Sequence, residues 1–259
     1  MFRGALFRRT RTLLAKRKDP SVKEMVEAHL DVQHKAMGKV AIYPHRSMTR
    51  PVLPINVQDV TSPLFIHRVL ELTKLAQDLD CVSFSGPKGH WDASVVFIKS
   101  DPNQAEFDVW VNPEIPGYDD RTSAAPMYGM WENCVSCGAC HAWVIRPQRV
   151  TCTGYDQHGK RKQQVLGGML ARCLMHELDH LSGKTILQQT VGPEFVVSGV
   201  AMAQRDLWPA NFPSAEAYMT GSHQFFDYVT NTTIVPQGLE FWYAQNTSSQ
   251  SFQDERLGR

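Results

Sequence analysis

The sequence contains no run of apolar residues long enough to cross a bilayer, which takes about 20 residues, so no membrane span is predicted. No secretory signal is evident either. Six cysteines in such a chain indicate reduced thiols or metal ligands rather than a disulfide framework. Internal repeats and long low-complexity segments are also missing. The composition, 259 residues with 42% hydrophobic and 20% charged, suits one folded domain with extensions or a small second lobe.

Acidic residues are absent before Asp19, whereas the first 18 positions hold seven Arg or Lys. Phe2, Leu6 and Leu13 are spaced to lie near one face of a helix. This make-up is typical of a mitochondrial targeting helix, so residues 1–18 predict import to the mitochondrial matrix. The alternative is a basic arm that stays on the mature protein and touches nucleic acid. The rest of the chain has 20 basic and 26 acidic residues, near −6, which is unfavourable for binding RNA except through a local basic patch.

The hydrophobic pattern predicts an α+β domain over residues 40–190. Helical spacing predicts an amphipathic helix over 63–79 and, before the domain, a lead-in helix within an extension covering 19–39. Short β-rich runs are predicted at 94–98, 107–111, 143–145 and 150–154. Gly167 and Gly168 then precede a helix from Met169 to about Leu181, which Gly183 ends. Strands followed by one central helix imply the α+β class.

Residues 191–259 are predicted to form a carboxyl-terminal extension. The pattern there predicts a helical stretch near 196–207, and the last dozen residues, rich in Ser, Gln and charge, are predicted to be disordered. Between them lie several aromatic residues: Trp208, Phe212, Phe225, Phe226 and Tyr228. These either pack the extension onto the core or form a docking surface for a partner.

The segment MHELDHLSG carries the chemistry most clearly. It places His176 and His180 four residues apart on one helix face, where both imidazoles can bind one metal ion. Glu177 beside them can take a proton from water and deliver it to a leaving amine. The alternatives are a surface helix with these residues by chance, or a zinc metalloprotease with Glu194 or Glu216 as third ligand.

Several segments together resemble the peptide deformylase family, whose hallmark segments have the forms GxGLAAPQ, EGCLS and HExDH. They are GGMLARCLMHELDHLSG (167–183), ENCVS (132–136) followed by Val144, Arg146 and Pro147, VNPEI (111–115), IYP (42–44) and the pair Pro51 and Val52. The resemblance covers roughly residues 40–188. It implies a peptide-deformylase-like fold, with antiparallel strands around a central helix that carries the HExDH segment.

The resemblance also implies a metal centre and its roles. Cys134 would be the thiolate ligand, with His176 and His180 as imidazole ligands, for Fe(II) or its common substitute Zn(II). Glu177 would be the general acid/base, and the backbone amide of Val135 a donor to the oxyanion. Such a ligand set leaves a fourth position for water, whose pKa the metal lowers. The implied substrate is the formyl-Met end of a nascent peptide.

The first hallmark segment is altered, because it falls on CVSFSGPK (81–88). The two family glycines become Cys81 and Ser83, and the Gln that donates to the oxyanion becomes Lys88. An ammonium can also donate, which makes Lys88 a candidate catalytic residue. Placing the Lys88 ammonium beside a divalent cation costs free energy unless Glu177 or another carboxylate compensates the charge. The alternative is that the Lys88 side chain points away from the site. Losing one such donor costs ~10²–10³ in turnover.

Two functional hypotheses stay open. The slightly favoured one is a deformylase-like protein of mitochondrial translation that keeps the metal site, has weak or lost activity, and acts structurally with the mitochondrial ribosome or its assembly proteins. The altered CVSFSGPK segment, Asn133 in place of the Gly of EGCLS, and the added terminal regions favour it. The alternative is an active metal-dependent deformylase acting on nascent mitochondrial peptides, which the intact ligands and Glu177 favour.

The segment CVSCGACH (134–141) admits other interpretations. Its CxxCH is the pattern of covalent haem attachment, and its thiol spacing suits zinc or an iron–sulfur cluster. The deformylase register instead predicts that Cys137 and Cys140 occupy wall positions near the metal.

Overall fold

A computed structural model describes residues 21–101, 104–117, 127–204 and 207–208, with the backbone alone of 127–128 and of three short strands beyond residue 217. The predicted targeting segment and the predicted disordered tail lie outside these ranges. The helices are α1 (Val22–Met37), α2 (Pro63–Asp78), α3 (Gly168–Leu181), α4 (Ile186–Gln189) and α5 (Gly199–Ala203). The strands are β1 (Ser83–Ser85), β2 (Val95–Ile98), β3 (Asp108–Glu114), β4 (Met127–Asn133), β5 (Cys140–Pro147), β6 (Arg149–Tyr155), β7 (Arg161–Gly167), β8 (Val196–Ser198), β9 (Tyr218–Met219), β10 (Phe225–Asp227) and β11 (Thr232–Ile234).

The strands form antiparallel sheets of order β1-β2-β3-β6-β7, β4-β5-β8 and β9-β10-β11. Only Gln148 separates β5 from β6, so the chain passes there from one sheet to another. The carbonyl of Gln148 accepts a hydrogen bond of 2.8 Å from the amide of Gly168, the first residue of α3. This bond fixes the start of α3 where the two sheets meet, and the α+β class with antiparallel strands is confirmed.

Helix α2 covers one face of the five-stranded sheet. The Ser62 hydroxyl caps it by accepting from the Phe65 amide, and Pro63 occupies its first turn, where no helical partner for an N–H is lost. Its buried residues recur at helical spacing and pack against sheet residues such as Phe84 and Phe97. Each large apolar side chain buried in this way contributes about 1.5–3 kcal/mol.

Helix α3 is buried on both sides. Leu174 and Met175 pack against Val96 and Trp110 on the other face of the five-stranded sheet. The polar residues of α3 are buried as well, and these are Arg172, His176, Glu177 and His180. A helix that buries four ionisable side chains must satisfy them internally, which locates the site along this helix.

The predicted helices over 63–79 and from Met169 to Leu181 agree with α2 and α3 to within one residue. The runs predicted as strands correspond to β2, β3, β5 and β6. The helix predicted near 196–207 is wrong in its first part, because residues 196–198 pair with β5 as β8 and only the five-residue α5 follows. No helix within the described ranges is long and apolar enough to span a membrane.

Candidate metal centre

Cys134, His176 and His180 converge between α3 and the end of β4. The Cys134 Sγ lies 3.3 Å from the His180 Nε2, and the two imidazole centroids are 4.9 Å apart. All three side chains are buried, and their candidate ligand atoms lie within 4.8 Å of one another. Among the His, Cys, Asp and Glu side chains of the described residues, these three lie close enough together to hold one metal ion. The structure thus brings together the three ligands that the family resemblance implied.

Each imidazole is oriented by a second contact. The His176 Nδ1 lies 3.0 Å from a carboxylate oxygen of Glu132, and the His180 Nδ1 lies 3.0 Å from the backbone carbonyl of Lys184. Both rings can therefore present Nε2 to an ion, as outer contacts of this kind do in metal sites. One thiolate with two imidazoles suits zinc or iron. The residues present fit such an ion.

Glu132 is held in a buried charge network. It accepts hydrogen bonds from Arg146 at 2.7 and 2.9 Å and from Arg172 at 2.6 Å. Burial alone would raise the pKa of Glu132, but the Arg146 guanidinium, helped by His176 and Arg172, holds it well below its ordinary value. Sequence reasoning assigned no role to Glu132 or Arg172. The available signal was a charged residue inside an apolar strand, Arg146 in WVIRP.

The Cys134 thiol is stabilised as a thiolate. A hydrogen bond from Cys137 is the largest influence, and with the Lys88 ammonium and His176 it holds the pKa of Cys134 well below its ordinary value despite burial. The thiolate is the form of cysteine that binds metals. The local charges thus favour the ionised ligand.

Lys88 forms a buried ion pair with Glu177. Its Nζ lies 3.0 Å from the Glu177 Oε1, and the two side chains are 4% and 0% exposed. The Ser83 hydroxyl donates to the same oxygen at 2.8 Å. Burial alone would raise the pKa of Glu177, but the Lys88 ammonium lowers it, and the carboxylate in turn raises the pKa of Lys88. Lys88 therefore points into the site, and Glu177 supplies the compensation that the sequence argument required.

The second oxygen of Glu177, Oε2, is buried and makes no hydrogen bond within the described part of the chain. Sequence reasoning missed the contact of Ser83, which it identified only as the replacement of a family glycine. The two changed residues Ser83 and Lys88 act on one atom, the Glu177 Oε1. The alteration of CVSFSGPK thus changes the surroundings of Glu177, the residue that the resemblance implies as general acid/base.

A cavity of about 290 Å³ adjoins the centre. Its lining includes Cys81, Lys88, Cys134 and Val135, whose backbone amide is the implied oxyanion donor. The exposed Asp80 lines it too, so the cavity reaches the surface. Small molecules have a route to the buried ligands.

The other cysteine thiols are not members of the ligand group of Cys134, His176 and His180. Cys137 and Cys140 pack beside Cys134, with the Cys140 Sγ 3.3 Å from the Cys137 carbonyl, as the wall interpretation predicted. His141, the histidine of the haem-type pattern, lies on β5 and is not a member of the ligand group found among the described residues.

Of the two third ligands considered for a protease, only Glu194 is described by the structure. Glu194 is not part of the described ligand group, and Glu216 lies outside the described residues. Of the aromatic residues singled out after position 207, Trp208 packs against Trp131 with 5.4 Å between centroids. Phe212 and Tyr228, and the side chains of the β10 phenylalanines, lie outside the described residues.

Comparison with known proteins gives consistent matches. A family model described as polypeptide deformylase matches residues 37–195. Peptide deformylase 2 of Ralstonia nicotianae is 32% identical over 153 residues, covering 52% of this chain and 84% of the relative. Peptide deformylase of Stenotrophomonas maltophilia is 26% identical over 152 residues, covering 59% and 86%.

Solved structures share the fold. A peptide deformylase from Legionella pneumophila has a TM-score of 0.53 at 24% identity, covering 64% of this chain and 90% of that one. A Met-Ala-Ser-bound class I type b peptide deformylase from Acinetobacter baumannii has a TM-score of 0.52 at 22% identity, covering 58% and 96%. At these identities the likeness establishes the architecture alone.

Proposed function

This chain belongs to the polypeptide deformylase family, and we propose that it is a metal-binding member whose deformylase activity is weak or lost. The metal would be held by Cys134, His176 and His180. The observation that carries the proposal is the buried ion pair between Lys88 and Glu177. It involves the residue that the reaction needs as general acid/base.

A divalent ion held by these ligands would supply Lewis acidity toward water and a formyl carbonyl. Glu177 would have to accept a proton from the attacking water and return it to the leaving amine. Lys88 opposes the first transfer, because an ammonium 3.0 Å away stabilises the ionised carboxylate and disfavours the protonated form that the return of the proton requires. The amide of Val135 remains available as a backbone donor to the oxyanion, since side-chain changes leave it in place.

The alternative function is an active deformylase for formyl-Met peptides. The complete ligand set, with both imidazoles oriented by second contacts, favours it. In that case the Lys88 ammonium would replace the family Gln as the oxyanion donor. The two candidates predict opposite outcomes for one experiment.

The experiment measures hydrolysis of a formyl-Met tripeptide by the full chain loaded with Fe(II), with zinc-loaded protein in parallel and metal content determined on each sample. We expect turnover at least ~10² below that of a bacterial family member assayed beside it. Brisk turnover that Glu177→Gln abolishes would reject the proposal and establish the alternative. Metal content near one ion per chain shows that low activity is not a loading failure.

We further propose that the protein resides in the mitochondrial matrix and acts structurally there, with the mitochondrial ribosome or its assembly proteins. The basic, acid-free segment 1–18 supports the location. A reporter fused to residues 1–18 should enter mitochondria, and a variant with its arginines changed to Glu should stay outside.

Co-sedimentation of the full chain with mitochondrial ribosomes tests the proposed partner. Absence of co-sedimentation at low salt would reject that role.

A further inference from the structure

Cys134 and Cys137 close a single tight turn. Cys134 follows β4, residues 135–137 form a 3-10 turn, and the Cys137 amide donates to the Cys134 carbonyl at 3.0 Å. A hydrogen-bonded four-residue turn keeps its end Cα atoms within about 7 Å. Disulfides span Cα separations of about 4.4–6.8 Å. The backbone therefore already holds the two residues at bridging range.

The side chains are also joined, because the Cys137 thiol donates a hydrogen bond to the Cys134 sulfur. Cys137 packs against the buried cluster that contains Cys134. Cys137 is only half-buried, and Cys134 lines the cavity that reaches the surface at Asp80. A small oxidant can thus reach both sulfurs, although one of them is a candidate metal ligand.

We propose that Cys134 and Cys137 form an oxidisable dithiol, a modification site at which a peroxide produces an intramolecular disulfide and removes the thiolate ligand from the metal centre. The inference rests on the metal site of the proposed function and adds its redox regulation. Cys137 is not a member of the ligand group, so a second thiol lies beside the ligand thiolate without itself being a candidate ligand.

The chemistry balances with hydrogen peroxide as oxidant. The Cys134 sulfur attacks one peroxide oxygen, the O–O bond breaks, and hydroxide leaves, giving a sulfenic acid at Cys134. The Cys137 sulfur then attacks the Cys134 sulfur, forming the S–S bond and breaking the S–O bond. The displaced hydroxide takes the Cys137 proton. One thiolate and one thiol are oxidised together, and one peroxide is reduced to a water and a hydroxide, the latter taking up a proton from solvent.

A disulfide here would protect the ligand. Without Cys137, the sulfenic acid at Cys134 proceeds to sulfinic and sulfonic acids, which ordinary thiol reductants do not reverse. With Cys137 the oxidised chain stays reducible. Metal binding should therefore be lost reversibly in the parent chain and irreversibly in a chain lacking Cys137.

The test uses the full zinc-loaded chain, Cys137→Ser, and Cys140→Ser as matched control, since Cys140 is a neighbouring thiol with its Sγ on the Cys137 carbonyl. Each is treated with hydrogen peroxide, and zinc release is followed with a chromogenic chelator. Free thiols are alkylated with one reagent before reduction and with another after it. Fragment mass spectra then assign the label at each cysteine, including Cys81 and Cys173 of the same cavity.

We expect the parent and Cys140→Ser to lose two hydrogens in mass, to pair Cys134 with Cys137, to release zinc, and to rebind it after dithiothreitol. Cys137→Ser should gain oxygen at Cys134 and fail to rebind zinc. Pairing of Cys134 with another cysteine, or equal recovery of Cys137→Ser, would overturn the proposal. Zinc content of the reduced parent tests the metal site separately, because the mass change reports the disulfide whether or not zinc binds.

Discussion

Replacing Lys88 by Gln removes the buried ammonium while retaining an amide that can donate to Glu177. At 3.0 Å and an effective dielectric constant near 20, the pair attracts by about 5 kcal/mol before desolvation is counted. Removing one partner of a buried pair typically destabilises a fold by about 3–5 kcal/mol, because the other charge stays buried. The remaining amide donor places the expectation for Lys88→Gln at the low end, about 3 kcal/mol.

Activity should change in the opposite direction to stability. In the Lys88→Gln chain, the ammonium no longer opposes protonation of Glu177. Position 88 then carries the amide donor of the family pattern. Restoring acid/base function and a neutral donor should raise turnover of a formyl-Met tripeptide by about 10–100-fold. Urea denaturation of metal-free protein measures the first effect, and the peptide assay on Fe(II)-loaded protein measures the second.

Lys99→Gln is the matched control. Lys99 is a half-buried lysine beside the Phe107 ring, with its Nζ 5.4 Å from the ring centroid, and is outside the ion pair. Its replacement should leave stability and turnover within about 0.5 kcal/mol and twofold of the parent. A Lys88→Gln chain as stable as the parent and no more active would refute the inhibitory pairing. If the parent chain turns over substrate briskly and Lys88→Gln lowers that turnover, Lys88 acts as the oxyanion donor.

Three further changes test the site and its support. Cys134→Ala should abolish zinc binding in an equilibrium titration while Glu194→Ala leaves it unchanged, and the reverse result would favour a protease-type ligand set. Glu132→Gln should destabilise the fold by about 3–5 kcal/mol in urea, because Arg146 and Arg172 lose a buried counter-charge, and an unchanged midpoint would contradict the network. Gly183→Ala should cost about 1–3 kcal/mol for its φ of +73° plus a clash with Arg50 backbone atoms 2.6–2.9 Å away. Gly117→Ala, with a φ of +70° and no neighbouring atom within 4 Å, should lose only the stability that the positive φ costs. Equal losses of stability in the two variants would therefore exclude the clash at Gly183.

The fold was predictable where local pattern and packing agree. Helices α2 and α3 combine helical spacing with clear stop signals, and both have their predicted bounds to within one residue. Strand β7 has the polar sequence RKQQVLG with only Leu166 buried, so no alternation marks it. Strand β8 exists because residues 196–198 pair with the edge of β5, a contact more than 50 residues away that outweighs their helical pattern.

The metal ligands of the site were predictable from the sequence, whereas the pairing of its buried charges was not. Two of the three ligands share one helix turn, so their meeting follows from the helix itself. The pair of Lys88 with Glu177 joins residues 89 apart in sequence, and depends on how the turn after β1 packs against α3. Sequence reasoning could name the conflict between an ammonium and a metal, but only the fold shows which carboxylate resolves it.

The position of Lys88 explains how chemistry could be altered without loss of the fold. Glu132 and Asp179 are matched by Arg146 and Arg172, so this part of the buried network is neutral. Beside it, a family-type site would hold a divalent ion against the Cys134 thiolate and the Glu177 carboxylate, which is also neutral. Lys88 adds one positive charge to that second group, so the ammonium and the ion compete for the same carboxylate. If Lys88→Gln raises turnover, this competition limits the reaction; if it changes only stability, the loss lies in the substrate wall around Cys81 and Asn133.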